Sequence, residues 1–241
     1  MELHTSTLVI IPAYNEGRRI ASVTKEIKER YPFWQVLVID DGSRDDTREK
    51  AIESGARVIS HPFNLGYGTA LQTGYKYALE KGYDELVQMD ADGQHDPSYL
   101  MDLLSVVRKG EADVAIGSRF LERGRLGPGP SLYRAPFIKK LGMGLFGRIA
   151  SSLIGQKVTD PTSGNQALNR KALQWVSSDK FPYDYPDADV IIMLHRAGLH
   201  MKEVPVRMFQ NPDKKSMHSG WKPFYYVFKM FLSIFVTLLR K

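Results

Sequence analysis

Cysteine is absent from all 241 residues. Disulfides, zinc–thiolate centres and a cysteine nucleophile are thereby excluded, and the chain suits a reducing compartment. The opening residues Met1-Glu2-Leu3-His4-Thr5 lack the basic and apolar zones of a signal peptide, so none is expected. A membrane span needs about 20 apolar residues. The apolar stretch at residues 224–239 has 16 and contains Lys229, which is short for a span. No internal repeat or low-complexity tract is visible. Zinc-finger, RNP-like and basic-zipper patterns are also missing, so nucleic acid ranks well below other anionic partners.

What is present is an ordinary globular composition, 43% apolar and 25% charged. The length allows one large domain or a domain with an appendage, and a substantial core. The net charge of +6 is localised. From Lys202 onward there are eight basic residues (Lys202, Arg207, Lys214, Lys215, Lys222, Lys229, Arg240, Lys241) against Glu203 and Asp213, so the rest of the chain is neutral. A basic end beside an apolar stretch points to an anionic membrane surface. Lys229, Ser233 and Thr237 fall at i, i+4 and i+8, one polar stripe on an otherwise apolar helix. Such a helix either lies in a membrane interface or packs on the protein's own core.

The first half alternates strand and helix patterns. Strands are expected at residues 8–11, 35–39, 57–60, 84–89 and 113–117, and helices at 19–30, 45–54, 69–81 and 97–108. Near-continuous apolar strands alternating with helices mean a mostly parallel sheet covered on both faces. The second half is less regular: a Gly/Pro-rich loop at 124–130, an apolar and basic segment at about 136–154, a helix at 189–197 and a strand at 200–209. Ligands of such sheets bind beyond the carboxyl ends of the strands. Polar groups from distant positions converge on that rim: Pro12 to Glu16, Asp40 to Ser43, Asp90 to Asp92, and Gly117 to Arg119.

The most informative stretch is Met89-Asp90-Ala91-Asp92-Gly93-Gln94. If the preceding strand continues through it, Asp90 and Asp92 point the same way, roughly 7 Å apart at their Cα atoms. Two facing carboxylates repel, and a hard divalent cation such as Mg²⁺ or Mn²⁺ relieves the repulsion. The alternative is an acidic turn, since Asp-Gly is common turn chemistry. His95 reads as a solvated loop histidine. Gly66-x-Gly68 continues to Leu71 without the third glycine of a dinucleotide site, which argues against a nicotinamide-dependent oxidoreductase.

Taken in order, Pro12-Ala13-Tyr14-Asn15-Glu16, Asp40-Asp41-Gly42-Ser43-Arg44-Asp45-Asp46-Thr47, Asn64-Leu65-Gly66-Tyr67-Gly68-Thr69-Ala70, Asp90-Ala91-Asp92-Gly93-Gln94-His95, Gly117-Ser118-Arg119-Phe120 and Asp160-Pro161-Thr162-Ser163-Gly164 form one set. Over about residues 6–210 this set resembles family 2 glycosyltransferases of the GT-A fold, and most closely their polyprenyl-phosphate (dolichol-phosphate) sugar synthase branch. The resemblance implies an α/β fold with a Rossmann-like sheet. It implies a catalytic domain over 1–210 with an amphipathic insert at about 131–155, and a membrane-associating segment over 211–241. Pro12, Ala13, Tyr14, Glu16 and Asp41 would hold the base and ribose of a UDP- or GDP-sugar, with Gly68 and Ala91 beside the donor. Asp90, Asp92 and Gln94 would hold Mg²⁺ or Mn²⁺ and, through it, the diphosphate. Arg119 would meet the acceptor phosphate, aided by Arg134. The structural alternatives are a helix start at Asn15-Glu16, with Asn15 capping, and an ion pair at Arg119. Where the family often has Ser-Gly-Phe-Arg, this chain has Ser163-Gly164-Asn165-Gln166.

The reaction implied is inverting displacement at the anomeric carbon, at the cytoplasmic face of a membrane, by a peripheral protein that is monomeric or a homo-oligomer. A lipid phosphate acceptor is already anionic and needs positioning more than a base. A saccharide or lipid hydroxyl acceptor would need one, and Asp160 is then the candidate. A non-catalytic nucleotide- or lipid-binding scaffold is the reading from a different class.

Overall fold

The computed structural model describes residues 7–121, 137–182 and 188–210, together with 232, 236 and 237. The expected acceptor residue Arg134 and most of the segment at 211–241 lie outside the described residues. Strands β1 (Thr7–Ala13), β2 (Gln35–Asp40), β3 (Arg57–Ser60), β4 (Glu85–Gln88), β5 (Val114–Ser118), β6 (Gln166–Asn169) and β7 (Met201–Pro205) make one sheet of order β3-β2-β1-β4-β6-β5-β7. All neighbouring pairs are parallel except those made by β6, which runs antiparallel to both β4 and β5. The expected parallel sheet is therefore present. Strand β6, and the helix α6 that follows it, were not legible in the sequence. Gln166-Ala167-Leu168-Asn169 is only four residues long with two buried side chains, too short for a periodicity signal.

Alternation along the strands builds two cores. Leu8, Ile10, Leu37, Ile39, Leu86, Val114, Ile116 and Leu168 point to one face. There they pack under α3 (Tyr67–Glu80), α5 (Phe137–Ile154), α6 (Arg170–Val176) and α7 (Ala188–Arg196). Val9, Ile11, Val36, Val38, Val87, Ala115 and Ala167 point to the other, under α1 (Ile20–Arg30), α2 (Thr47–Glu53) and α4 (Leu100–Arg108). Both strand faces are buried, which is why β1, β2 and β4 read as unbroken apolar runs rather than as alternating ones.

Two local expectations change. Asn15 does not cap α1, whose N-cap is Arg19 with no side-chain hydrogen bond. It sits instead in the left-handed region (φ +56°), and its side chain accepts the Arg44 N–H at 2.8 Å. Asparagine tolerates that conformation better than most residues. Strand β4 ends at Gln88, so Asp90 and Asp92 lie in the turn after it and not along an extended strand. Turn chemistry at Asp92-Gly93 wins over continuation of the strand.

Candidate functional site

The sheet reverses its order at β1: β2 follows it on one side, whereas β4 pairs with it on the other. A crevice opens at such a switch point, beyond the carboxyl ends of the strands. Four loops meet there. The loop at 14–17 is laced to the loop at 43–47: Asn15 N–H donates to Ser43 Oγ (2.9 Å), Glu16 N–H to Thr47 Oγ1 (2.8 Å) and Gly17 N–H to Asp45 Oδ2 (3.1 Å). Pro12 and Ala13 register with Ile39 and Asp40, so the two motifs leave the sheet side by side. Tyr14 stands exposed on the rim.

Asp41 is buried, and its oxygens organise the next loop. Oδ1 accepts the Leu65 N–H (2.9 Å) and pairs with His61 Nδ1 (2.7 Å), while Oδ2 accepts the Gly66 N–H (2.9 Å). Gly42 makes this possible. It has φ +70°, and a Cβ there would lie 2.5 Å from the Phe63 carbonyl carbon. Asp41 thus shapes the Asn64–Gly68 lip, with Gly68 buried in the first turn of α3.

Asp90 is the hub. Tyr67 O–H donates to its Oδ1 (2.7 Å), and His95 Nε2 contacts its Oδ2 (3.1 Å). Behind Tyr67 stands a polar chain: Gln88 Nε2 donates to Tyr67 Oη (3.3 Å), and Tyr75 O–H donates to Gln88 Oε1. His95 is thus buried on the carboxylate and is not the solvated loop histidine of the sequence reading. An isolated bridge to Met208 pulls it inward. Gly164 seals the other side. A Cβ on it would fall 2.4 Å from Asp90 Oδ2.

Burial alone would raise the Asp90 pKa. The hydrogen bond and charge of His95, the Tyr67 hydroxyl and the charge of Arg119 outweigh it and hold the group below the ordinary carboxylate value. Asp92 goes the other way, raised first by burial and then by the neighbouring charge of Asp90. Glu16, ion-paired with Arg19 at 3.2 Å, is raised by burial and also feels Asp92. A Cβ on Gly93 would lie 3.5 Å from Cδ of Arg19, the partner of Glu16, so the acidic turn stands beside the first motif.

These carboxylates fit a hard cation. Asp90 keeps 27% of its side chain exposed, and the charge on Asp92 is disfavoured until something positive neutralises the pair. Among the described residues no group of three or more His, Cys, Asp or Glu forms a closed metal cage. A cation here would complete its shell from phosphates and water, as Mg²⁺ commonly does. His95 would then orient a ligand from behind. Gln94 donates its side-chain N–H to the Phe209 carbonyl (3.2 Å) and its main-chain N–H to Asp92 Oδ1 (3.0 Å), which steadies the turn.

Arg119 and Asp160 come together as a buried pair, 7% and 0% exposed at their side chains. Nε donates to Oδ2 at 2.5 Å, Nη2 donates to Oδ1 and, at 2.9 Å, to Thr162 Oγ1, and the Arg119 main-chain N–H donates to Oδ2 at 3.0 Å. Both carboxylate oxygens therefore face the guanidinium. Sequence reasoning missed Tyr67, Gln88, Gly164, Glu203 and Arg207. The last precedes Met208 in β7's outgoing segment, and its Nε is buried without a hydrogen-bond partner among the described residues. The signal for Tyr67 was its place inside the glycine motif. Gly164 likewise lay inside the 160–164 motif, whereas for Gln88, Glu203 and Arg207 no local pattern exists, because their partners are distant in sequence.

The comparisons agree with this geometry. The model of the family described as "Glycosyl transferase family 2" matches residues 8–176. The undecaprenyl-phosphate mannosyltransferase of Micrococcus luteus is 33% identical over 224 residues, covering 88% of this chain and 87% of that protein. The polyprenol monophosphomannose synthase of Mycolicibacterium smegmatis is 34% identical over 223 residues, covering 89% and 81%. Among solved structures, the glucosyl-3-phosphoglycerate synthase of Mycobacterium tuberculosis, crystallised with Mn²⁺, UDP and glucosyl-3-phosphoglycerate, superposes with a TM-score of 0.65 at 23% identity, covering 98% of this chain and 79% of that one. The sheet with its acidic turn at the switch point, and relatives matched over most of their length, lead to one conclusion: the chain belongs to glycosyl transferase family 2, has the GT-A fold and is a glycosyltransferase.

Proposed function

We propose that the chain transfers a sugar from a UDP- or GDP-sugar to a polyprenyl phosphate, with Mg²⁺ or Mn²⁺ and inversion at the anomeric carbon. The observation that carries this is the Asp90–Asp92 turn at the switch point of the sheet, with Asp90 held in place by Tyr67 and His95. The names of the relatives support the lipid phosphate acceptor. The Mn²⁺ and UDP in the solved neighbour support the donor and metal classes.

Asp90 and Asp92 would hold the cation, which when bound acts as a Lewis acid toward the leaving diphosphate. Pro12, Ala13, Tyr14 and Glu16 line the nucleoside side, and Asp41 sets the lip through Leu65 and Gly66. Arg119 supplies positive charge toward Asp90. Asp160 favours the phosphate acceptor over a hydroxyl one. Both its oxygens are committed to Arg119, which leaves it poorly placed to take a proton. An anionic phosphate needs no base.

The lipid acceptor requires a protein at the membrane surface. No helix among the described residues is long and apolar enough to cross a membrane. Thr237 is buried, with Arg196 Nη1 donating to its carbonyl at 2.5 Å, whereas Leu232 and Val236 are exposed. Thr237 thus faces inward while Leu232 and Val236 face out, and outward apolar side chains suit a helix lying on lipid. The decisive experiment is a panel of UDP- and GDP-sugars with a short polyprenyl phosphate, read by the mass and anomeric configuration of the lipid product. Transfer is expected with Mg²⁺ or Mn²⁺ alone, and Asp92→Ala abolishes it. Equal turnover in excess chelator overturns the metal assignment, and a glycosylated hydroxyl acceptor overturns the lipid phosphate.

A further inference from the structure

Arg119 is clasped from a direction that the site chemistry does not explain. Glu203 lies on β7, in register with Ile116 of β5, and its carboxylate meets the main chain at Thr159 and Asp160. Its Oε1 accepts the main-chain N–H groups of Thr159 and Asp160, each at 2.8 Å. Its Oε2 accepts the Thr159 hydroxyl at 2.7 Å. Thr159 has one hydroxyl proton, and Glu203 takes it. The 2.6 Å contact between Ser118 Oγ and Thr159 Oγ1 must then run from Ser118 to Thr159. Ser118 Oγ keeps its lone pairs and accepts the Phe120 N–H at 3.2 Å. One carboxylate thereby sets the proton direction of a chain that ends on both residues flanking Arg119. The same carboxylate fixes the peptide of Asp160, whose oxygens hold the guanidinium.

This arrangement is costly in isolation. Burial, and then the charge of Asp160, push the Glu203 pKa up, and three donors on one carboxylate work against that. The guanidinium held in this way carries a charge that reaches Asp90. We propose that Glu203 is a positioning residue for sugar transfer, fixing Arg119 through the Thr159–Asp160 turn at the point where acceptor meets donor. The inference rests on the reading that Arg119 faces an acceptor phosphate. It adds a residue to which neither the motifs nor the nucleotide mouth points.

The test compares two fates of the donor in the full chain. Whichever of UDP-glucose or GDP-mannose the wild type turns over is supplied with Mn²⁺. Transfer to a short polyprenyl phosphate and hydrolysis to water are measured side by side. Glu203→Ala is expected to lower the transfer-to-hydrolysis ratio by about 10- to 100-fold, through a raised acceptor KM or a lowered transfer kcat. Donor KM stays within about twofold, because the hydrogen bonds that hold Asp90 come from Tyr67 and His95 and not from the Glu203 network. Glu203→Gln keeps one oxygen for the two N–H groups and is expected to recover most of the ratio. An unchanged ratio in folded Glu203→Ala, or transfer and hydrolysis falling together, overturns the proposal. Should Glu203→Ala fail to fold, Thr159→Val carries the test. It removes the hydroxyl's bonds to Glu203 and Ser118 and leaves the two main-chain N–H bonds to Glu203 in place, and a ratio equal to wild type overturns the proposal. A wild type without any metal-dependent donor turnover is a different failure, and it falls on the proposed function.

Discussion

Gly164 shows how closely one atom can control this site. Its hydrogen occupies the space where a methyl group would press on both oxygens of Asp90. Gly164→Ala must therefore move Asp90 off Tyr67 and His95, or shift the 163–165 turn. A displacement of about 1 Å at a carboxylate proposed to hold the cation costs on the order of 100-fold in rate. The expected outcome is a fall of that size in transfer with weaker Mn²⁺-dependent nucleotide binding, read by steady-state kinetics and calorimetry, while the circular dichroism spectrum stays that of the wild type. Unchanged kinetics would show that Asp90 has room to yield. Asn165, next along, is fully buried with neither side-chain polar atom paired among the described residues. It stands where the resembled family often has phenylalanine, and no contact in the structure explains the exchange.

Between elements, the reversed strand β6 ties the two parallel blocks together, and Asp113 anchors its far end. The Asp113 carboxylate accepts from His200 N–H (2.8 Å), Asn169 Nδ2 (2.8 Å) and Lys171 Nζ (3.3 Å). Burial would raise its pKa, but these donors outweigh it and lower the value. The folded-state pKa therefore lies below the unfolded one. The stabilisation is present above the unfolded value of about 4 and is lost as pH falls through the folded value. Asp113→Asn should cost stability at neutral pH and flatten the acid limb of the stability curve below about pH 4. Urea unfolding at a series of pH values measures this, and a parallel offset at every pH would contradict it. The same reasoning accounts for the missed strand: β6 is held by Asp113 and by its two neighbours, not by any pattern of its own.

At the scale of the whole molecule, the carboxyl ends of the strands carry the mouth proposed for the nucleotide, while the exposed Leu232 and Val236 suit a lipid surface. Removing an apolar side chain from a lipid contact is worth roughly 1.5–3 kcal/mol when burial is complete. The double variant Leu232→Glu, Val236→Glu is expected to lower partitioning onto vesicles containing anionic lipid by at least about tenfold, with soluble nucleotide binding unchanged. Sedimentation with vesicles measures the first and calorimetry the second. Equal sedimentation would mean that this face meets protein. The basic residues from Lys202 onward should make the wild-type partitioning fall as salt rises.

Much of this was legible along the chain. Unbroken apolar runs, each closed by acids, glycine or serine, follow from burying both faces of a parallel sheet and leaving polar groups at its carboxyl ends. Those rules are local, so β1 to β5 and the motifs at 12–16, 40–43 and 90–94 could be read directly. Tertiary structure alone decided that His95 turns inward, that Asp160 clasps Arg119, that Glu203 holds their turn and that β6 runs backwards. Each depends on partners brought together by the fold from distant positions. Hydrogen-bond partners and burial are properties of the packed whole, and no spacing along the chain encodes them.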